Sequence, residues 1–435
     1  MKKFTLFLFV CCTAAWLNAC LEANNAYKLI APGIWRGVLT LEPPVFSTTD
    51  KDSVMIIYDQ FKPGELPFNF EVKYTTPDDF YIEFINGSER IKCDSIRFGR
   101  DRTTARDTYN FYFPEYQSYI HAEVRGAVMQ GYFCVTTKDN YRIPFVADAA
   151  KNYRFTSLKV PPAKDISGKW ATLFGVEGDD PEKAVAEFQQ EGNRLTGTFR
   201  TETGDYRFLE GTVQGNKFWM SAFDGSHAFL FSGKIVGDTL QGEFKSGKGK
   251  PSLWTSWKDA NFDLGAADTL TRLVAGKSLA FNLTTPDGRA LKYPGPEFDN
   301  KISIVTIMGT WCPNCRDEQI FLRDFLKENP DLAQEIKVVS VSFERHKDVA
   351  AANAQLAQYR KVMDIRHDIV YGGTASKNEA AALFPVLSKV MAFPTMMIID
   401  KKGQIRQVHT GFDGPATSKY AAFKAEFAAL INSMR

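Results

Sequence analysis

Two different patterns of hydrophobic and polar positions divide this chain near residue 260. From about Tyr27 to Trp257, short apolar runs alternate with polar residues, as in Val54-Met55-Ile56-Ile57-Tyr58 and Phe80-Tyr81-Ile82-Glu83-Phe84. A period of two over such a run is that of a half-buried strand. Hairpin turns are dense in the second half of this region: Glu191-Gly192-Asn193, Gln214-Gly215-Asn216 and Gly237-Asp238. No long helical periodicity interrupts them, so the spacing predicts sandwiches or small barrels. Beyond Asp259 the pattern changes. Ile302 to Met308 is a continuous apolar, β-branched run, as in a strand buried on both faces. Phe321, Leu322, Phe325 and Leu326 then recur at helical spacing until Asn329-Pro330 stops them. Ile336 to Phe343, Thr395 to Ile399 and Ile405 to His409 read as strands, and Lys347 to Met363 and Ser418 to Met434 as helices. Strands alternating with helices predict an α/β unit.

The β-rich part carries the signs of a duplication. Gly33-Ile34-Trp35 opens its first half and Gly168-Lys169-Trp170 its second; Met129-Gln130-Gly131-Tyr132-Phe133 and Leu240-Gln241-Gly242-Glu243-Phe244 close them in the same order. Val160-Pro161-Pro162 serves as a linker between the two. The organisation expected is an export signal over 1–19, β modules over 27–155 and 163–258, and an α/β domain over 262–435.

Composition narrows the function. A net charge of +2 over 435 residues, with no Lys/Arg run, argues against nucleic acid. The start of the chain argues for export: Lys2 and Lys3 precede the apolar Phe4 to Val10, a run too short to span a bilayer. Leu17-Asn18-Ala19-Cys20 resembles a bacterial lipobox, which implies an acylated Cys20 and a lipid anchor. Outside the signal there are four cysteines, Cys93, Cys134, Cys312 and Cys315. In an exported protein a Cys-x-x-Cys pair reads as redox-active or structural before it reads as metal-binding. Cys93 and Cys134, each in a strand-like run, are candidates for a structural bridge or for two separately buried thiols. The five histidines form no ligand spacing, and no metal or bound cofactor is expected.

The chemistry concentrates in Trp311-Cys312-Pro313-Asn314-Cys315, which follows a buried strand and opens a helix. A sulfur at a helix N-terminus meets unpaired N–H groups and the positive end of the macrodipole, which favour a thiolate. Pro313 suits the first helical turn, and Cys315 returns beside Cys312 one turn on. Phe393-Pro394-Thr395 precedes a strand and is a place for a cis-proline whose backbone faces an incoming peptide. Glu318 lies three residues after Cys315 on the same helical face. It is either an acid that exchanges the proton moved at the thiols or a solvated first-turn carboxylate.

The stretch Ile307 to Glu318, together with Ala392-Phe393-Pro394-Thr395 and Thr410-Gly411-Phe412, resembles the TlpA/ResA-type envelope thiol–disulfide oxidoreductases, and most of all the Bacteroidetes-type versions with a β-rich N-terminal extension. The resemblance covers about Phe262 to the C-terminus. It implies a thioredoxin-fold domain, so the whole is expected to be an α+β multidomain chain with β-rich modules before that domain. It implies Cys312 as nucleophile, Cys315 as resolving thiol, Pro394 as cis-proline with Trp311, Phe393 and Thr395 facing substrate, and an acid beside the thiols at Glu318. The partners implied are disulfide-bearing envelope proteins and a membrane thiol carrier as electron donor. Two other readings stand beside this one. In a binding lipoprotein the β region, with aromatics such as Trp219 and Trp254, captures a partner and the C-terminal domain is subsidiary. In a thiol peroxidase the reactive Cys has a Thr three residues before it, a place that Cys312 fills relative to Cys315.

Overall fold

The structure is a computed structural model and describes residues 29–42, 61–259 and 261–435. The export signal, Cys20, the first residues of the first module and the Val54 to Tyr58 run lie outside the described residues.

The first sheet is an antiparallel array of nine strands: β1 (Gly33–Thr40), β2 (Glu65–Thr76), β3 (Asp79–Asn86), β4 (Glu89–Cys93), β5 (Ile96–Arg100), β6 (Asp107–Phe113), β7 (Ser118–Arg125), β8 (Val128–Val135) and β9 (Arg142–Ala149), in the order 4-3-2-1-9-8-7-6-5. Its two edges, β4 and β5, are separated in the chain only by Asp94 and Ser95, so the sheet curls until its edges meet. Tyr112 N donates to Ser95 O at 2.9 Å and the Cys93 thiol donates to Tyr112 O at 3.3 Å across that seam. Alternation sets the facing: in β3, Phe80, Ile82 and Phe84 are buried while Tyr81 and Glu83 are only partly covered.

Cys93 and Cys134 are both free and buried. Cys93 belongs to the interior cluster of this sheet, whereas Cys134 follows the interior Phe133 on β8 and so points to the opposite face. The candidate bridge is thereby corrected to two separate thiols.

The second sheet contains β10 (Gly168–Phe174), β11 (Glu182–Glu191), β12 (Arg194–Thr201), β13 (Gly204–Asp205), β14 (Leu209–Gln214), β15 (Lys217–Phe223), β16 (Ala228–Val236), β17 (Thr239–Ser246) and β18 (Ser252–Trp257). Because β11 pairs with both β10 and β12, the ladder closes on itself, and β13 is a short return strand on β12. Its interior is filled by Trp170, Phe199, Phe218, Phe231 and Trp254. The two sheets open alike: Trp35 and Trp170 are buried, and each indole N–H donates at 2.8 Å to the carbonyl four residues back. Gly131 and Gly242 lie on the next-to-last strand of each.

Phe223 joins the two. It leaves the end of β15 and packs among Phe68, Phe84, Phe113 and Phe133 of the first sheet, 4.7 Å from the Phe68 ring. Asn86 locks its backbone, donating from Nδ2 to Phe223 O at 2.9 Å and accepting from Phe223 N at 3.2 Å. Full burial of such a ring contributes about 1.5–3 kcal/mol.

After the hairpin of β19 (Phe281–Thr284) and β20 (Ala290–Tyr293), the third sheet comprises β21 (Ile302–Met308), β22 (Ile336–Glu344), β23 (Asp368–Thr374), β24 (Thr395–Ile399) and β25 (Ile405–Thr410), in the order 23-22-21-24-25. The pairs 21–22 and 22–23 are parallel, and the pairs 21–24 and 24–25 are antiparallel. Helices Pro313–Glu328, Val349–Val362 and Tyr420–Ser433 stand where periodicity expects them. Strand β23 and helix Lys377–Leu383 are additions to the sequence reading; Gly372 and Gly373 give β23 the look of a turn.

Candidate active site

The buried strand β21 ends at Met308, and residues 309–312 turn the chain into helix Pro313–Glu328. Cys312 is the N-cap of that helix, with extended backbone, and its Sγ accepts from Cys315 N at 3.3 Å. Pro313 takes the first helical position, where a missing N–H leaves no bond unmade. Cys315 is fully buried. Burial, then its hydrogen bond with Cys312, pushes its thiol well above the usual range.

Cys312 is only 5% exposed, less than a sulfur turned to solvent would be. It packs with Trp311 and Phe393, whose rings meet edge to face at 5.6 Å. The Phe393–Pro394 bond is cis, and the Cys312 thiol donates to Phe393 O at 3.3 Å. Pro394 is buried behind it, and Thr395 opens β24 with its hydroxyl donating to Ala392 O at 2.9 Å.

Glu318 is fully buried, and among the described residues neither carboxyl oxygen has a hydrogen-bond partner, which excludes the solvated first-turn acid. Burial, then the charge on Cys312, holds its pKa well above the usual carboxylate range. A carboxyl that holds its proton can give it to a departing thiolate and, once ionised, take one back from a thiol. Among the described residues no group of three His, Cys, Asp or Glu side chains stands together as a metal site would need. Thus Trp311, Cys312, Cys315, Glu318, Phe393, Pro394 and Thr395 converge, while Cys93 and Cys134 lie apart in the first sheet.

The β sheets contribute what no motif announced. The turn between β12 and β13 lies against the N-terminus of the cysteine-bearing helix. With its amide oriented to satisfy both groups, Asn314 donates to Asp205 O and accepts from Asp205 N, each at 3.1 Å. Gly204 has φ +149, a conformation that favours glycine, and a Cβ there would stand 1.8 Å from the end of the Asn314 amide, so the close approach rests on the missing side chain. Next to it, Arg207 is 3% exposed; its guanidinium pairs with Asp317 at 2.7 Å, with Glu89 of β4, and at 3.9 Å with Asp224. The Asp205 carboxylate accepts from Arg207 N at 2.6 Å and from Gly414 N at 2.7 Å. Burial, then the Asp317 charge, pushes its pKa up to about 7. The first sheet reaches the same domain through its β6–β7 turn: Gln355 donates to Glu115 O at 2.9 Å, and His346 Nε2 meets Gln117 Oε1 at 2.7 Å. None of these residues stands in a recognisable pattern. The one signal was Asn314 and Asp317, polar residues inside the motif with no stated partner.

Residues 275–423 match the Redoxin family model. The chain is a thiol–disulfide oxidoreductase. No curated protein matches it. Solved structures similar to the oxidoreductase domain include a thiol:disulfide interchange protein of the thioredoxin family from Chlorobium tepidum TLS (19% identity, 36% of this chain and 94% of that one, TM-score 0.27). Others are a thiol-disulfide oxidoreductase from Bacteroides fragilis (16%, 35% and 98%, 0.27) and StoA from Bacillus subtilis (19%, 34% and 96%, 0.25). Among the described residues of this oxidoreductase no helix is long and apolar enough to cross a membrane.

Proposed function

We propose that the chain is a cell-envelope disulfide reductase that acts through the Cys312/Cys315 dithiol. The observation that carries this reading is Cys312 at the helix N-cap with its sulfur against the Phe393–Pro394 backbone. The Cys312 thiolate attacks one sulfur of a substrate disulfide, forming a mixed disulfide and releasing the other substrate sulfur as a thiolate. Glu318 passes its proton to that departing thiolate, and as a carboxylate it then accepts the Cys315 proton while the Cys315 sulfur attacks Cys312 Sγ. The second substrate thiolate leaves, and two electrons have passed to the substrate at the expense of a Cys312–Cys315 disulfide. A membrane thiol carrier returns the pair to the dithiol. The lipobox-like Leu17 to Cys20 supports an anchored protein whose substrates are envelope polypeptides. The TlpA/ResA-type resemblance supports the same reading.

The reduction potential of the pair tests the direction. A value near or below about −200 mV is expected of a reductase, and one near about −120 mV would make the chain an oxidant instead. Membrane fractionation of the wild type and of Cys20→Ala tests the anchor, and a wild-type chain found wholly soluble would remove it.

A second reading rests on a different observation. A cavity of about 700 Å³ lies in the β region, lined by Phe61, Trp219 and Leu230 together with the charged Lys217, Lys234 and Glu243, and an apolar wall with a few polar groups suits a binding module. Partner capture by the 27–258 segment equal to that of the whole chain would favour it.

A further inference from the structure

The side of the helix that carries Pro313, Asn314 and Asp317 is occupied by Asp205 and Arg207 of the second sheet. A substrate must therefore reach Cys312 from the side of Trp311 and Phe393. On that side lies a cleft of about 330 Å³ to which all three sheets contribute: Lys138 and Tyr141 from the first, His227 and Lys248 from the second, Arg345 from the third. Arg345 ties the cleft to the dithiol, because its guanidinium lies 5.1 Å from the centre of the Trp311 ring, and Trp311 precedes Cys312. The Lys138 and Lys248 ammonium groups lie 4.6 Å and 5.4 Å from the Tyr141 ring, so one aromatic holds both cations at the same opening.

The charge there is not paired across the lining, although Glu344, next to Arg345 and hydrogen-bonded to Thr310, acts on its guanidinium. No carboxylate lines the cleft, and among the described residues Lys138, Lys248 and Arg345 enter no ion pair, although many of the chain's other cations do. His227 is different, since Asp224 already holds its Nδ1 at 3.0 Å. Burial, then the neighbouring Arg345 charge, lowers the Lys138 pKa, as expected of like charges held together. Three cations around one opening repel one another until an anion enters, and they raise the local concentration of acidic partners.

We propose that this three-sided cleft is the docking site for the substrate polypeptide, and that it selects disulfides flanked by Asp or Glu. The inference rests on the dithiol reading above. On that reading the β sheets are the specificity-determining part of the enzyme: they close one approach to Cys312 and supply two of the three cations that line the other.

The test uses the full chain and a pair of disulfide-linked peptides that differ only in Glu or Gln on either side of the cysteine, with hydroxyethyl disulfide as a neutral small substrate. At low ionic strength kcat/KM for the Glu peptide is expected to exceed that for the Gln peptide about tenfold. The ratio should fall towards one at about 0.5 M salt, where the Debye length is only ~4 Å. In Lys138→Gln/Lys248→Gln the ratio at low salt should drop towards one as well, and the salt titration of the wild type gives the same answer without a variant. Equal rates for the two peptides at low salt, or a preference that salt does not weaken, would overturn the cleft as the docking site while leaving the dithiol reading intact. Failure of the wild type to reduce any of the three disulfides would overturn the dithiol reading and this inference with it.

Discussion

The oxidoreductase domain and the β region hold the same helix by opposite means. From below, β21 and its neighbours grip helix Pro313–Glu328 with a dry face of Phe321, Leu322 and Phe325. From above, the β sheets grip its first turn with polar groups: Asp205 on Asn314, and Arg207 on Asp317. Apolar contact is tolerant of small shifts, whereas a buried hydrogen-bonded ion pair is strong only in one geometry. The domain therefore supplies the sulfurs and a scaffold for them, and the β region fixes what surrounds them.

The largest expected effect separates the two sulfurs within the domain. Cys312→Ser should lower disulfide exchange by on the order of a thousandfold or more, since the attacking group is lost. Cys315→Ser should instead accumulate mixed disulfides on Cys312, because no thiol remains to release them. Non-reducing gels of the two variants after incubation with envelope extract read the difference, and equal trapping by both would reverse or erase the assignment of roles.

The next effect breaks the β region's hold. Arg207→Met removes the cation shared by Asp317, Glu89 and Asp224 and leaves the buried Asp317 and the partly buried Glu89 without it, while Asp224 keeps His227. Breaking such a cluster from one side is expected to destabilise the chain by about 3–5 kcal/mol, read as a fall in the denaturant midpoint. A loss below about 1 kcal/mol would mean that the contact is ornamental and that the domain carries its active site alone.

Glu318 probes the domain's own interior. Its folded pKa stands well above the ordinary carboxyl value of 4.5, so the folded chain holds this proton more tightly than the unfolded one. The stability it contributes is complete below about pH 4.5 and is lost as pH rises towards the folded pKa, by up to about 1.4 kcal/mol per pH unit. Glu318→Gln cannot ionise. Relative to wild type, its denaturant midpoint should rise between about pH 5 and pH 8, and its pH–rate profile for exchange should lose one titration. Parallel stability curves across that range would show that Glu318 titrates normally.

The same contrast explains what was legible in the sequence. The strand Ile302 to Met308, the helix after it, the cysteine pair and the Phe393-Pro394 turn were readable because each is set by neighbours within a few residues. The β region was readable as strands for the same reason, since alternation in Phe80 to Phe84 is local. What escaped was long-range. Closure of the second sheet depends on β11 meeting β12 as well as β10, and no residue marks that choice. Nothing near Gly204 in the chain marks it, because the side chain that needs its missing Cβ is Asn314, over a hundred residues away. Nothing near Arg207 marks it as buried, because its partners lie on β4 and on the cysteine-bearing helix. The burial of Cys312 is long-range in the same way, because Phe393 covers it from a distant loop. Side chains that act across domains leave no period or spacing behind them.

The smallest effect bears on this point most directly. Asn314 sits between the two cysteines, where the oxidoreductase domain alone would suggest that it tunes their chemistry. Its amide is instead spent on Asp205 N and O of the second sheet. Asn314→Ala keeps the helix, for alanine is the better helix former, but leaves both Asp205 backbone groups without their partner. Two hydrogen bonds of about 0.5–1.5 kcal/mol each set the expected loss at about 1–3 kcal/mol. Gly204→Ala should do the same damage from the other side, by forcing the turn away from a side chain that it now touches, and the two changes should not add, because they break one contact. Denaturant midpoints of the single and double variants measure this. Additive losses would mean that Asn314 and Gly204 act independently, and that the β region does not hold the redox turn through them.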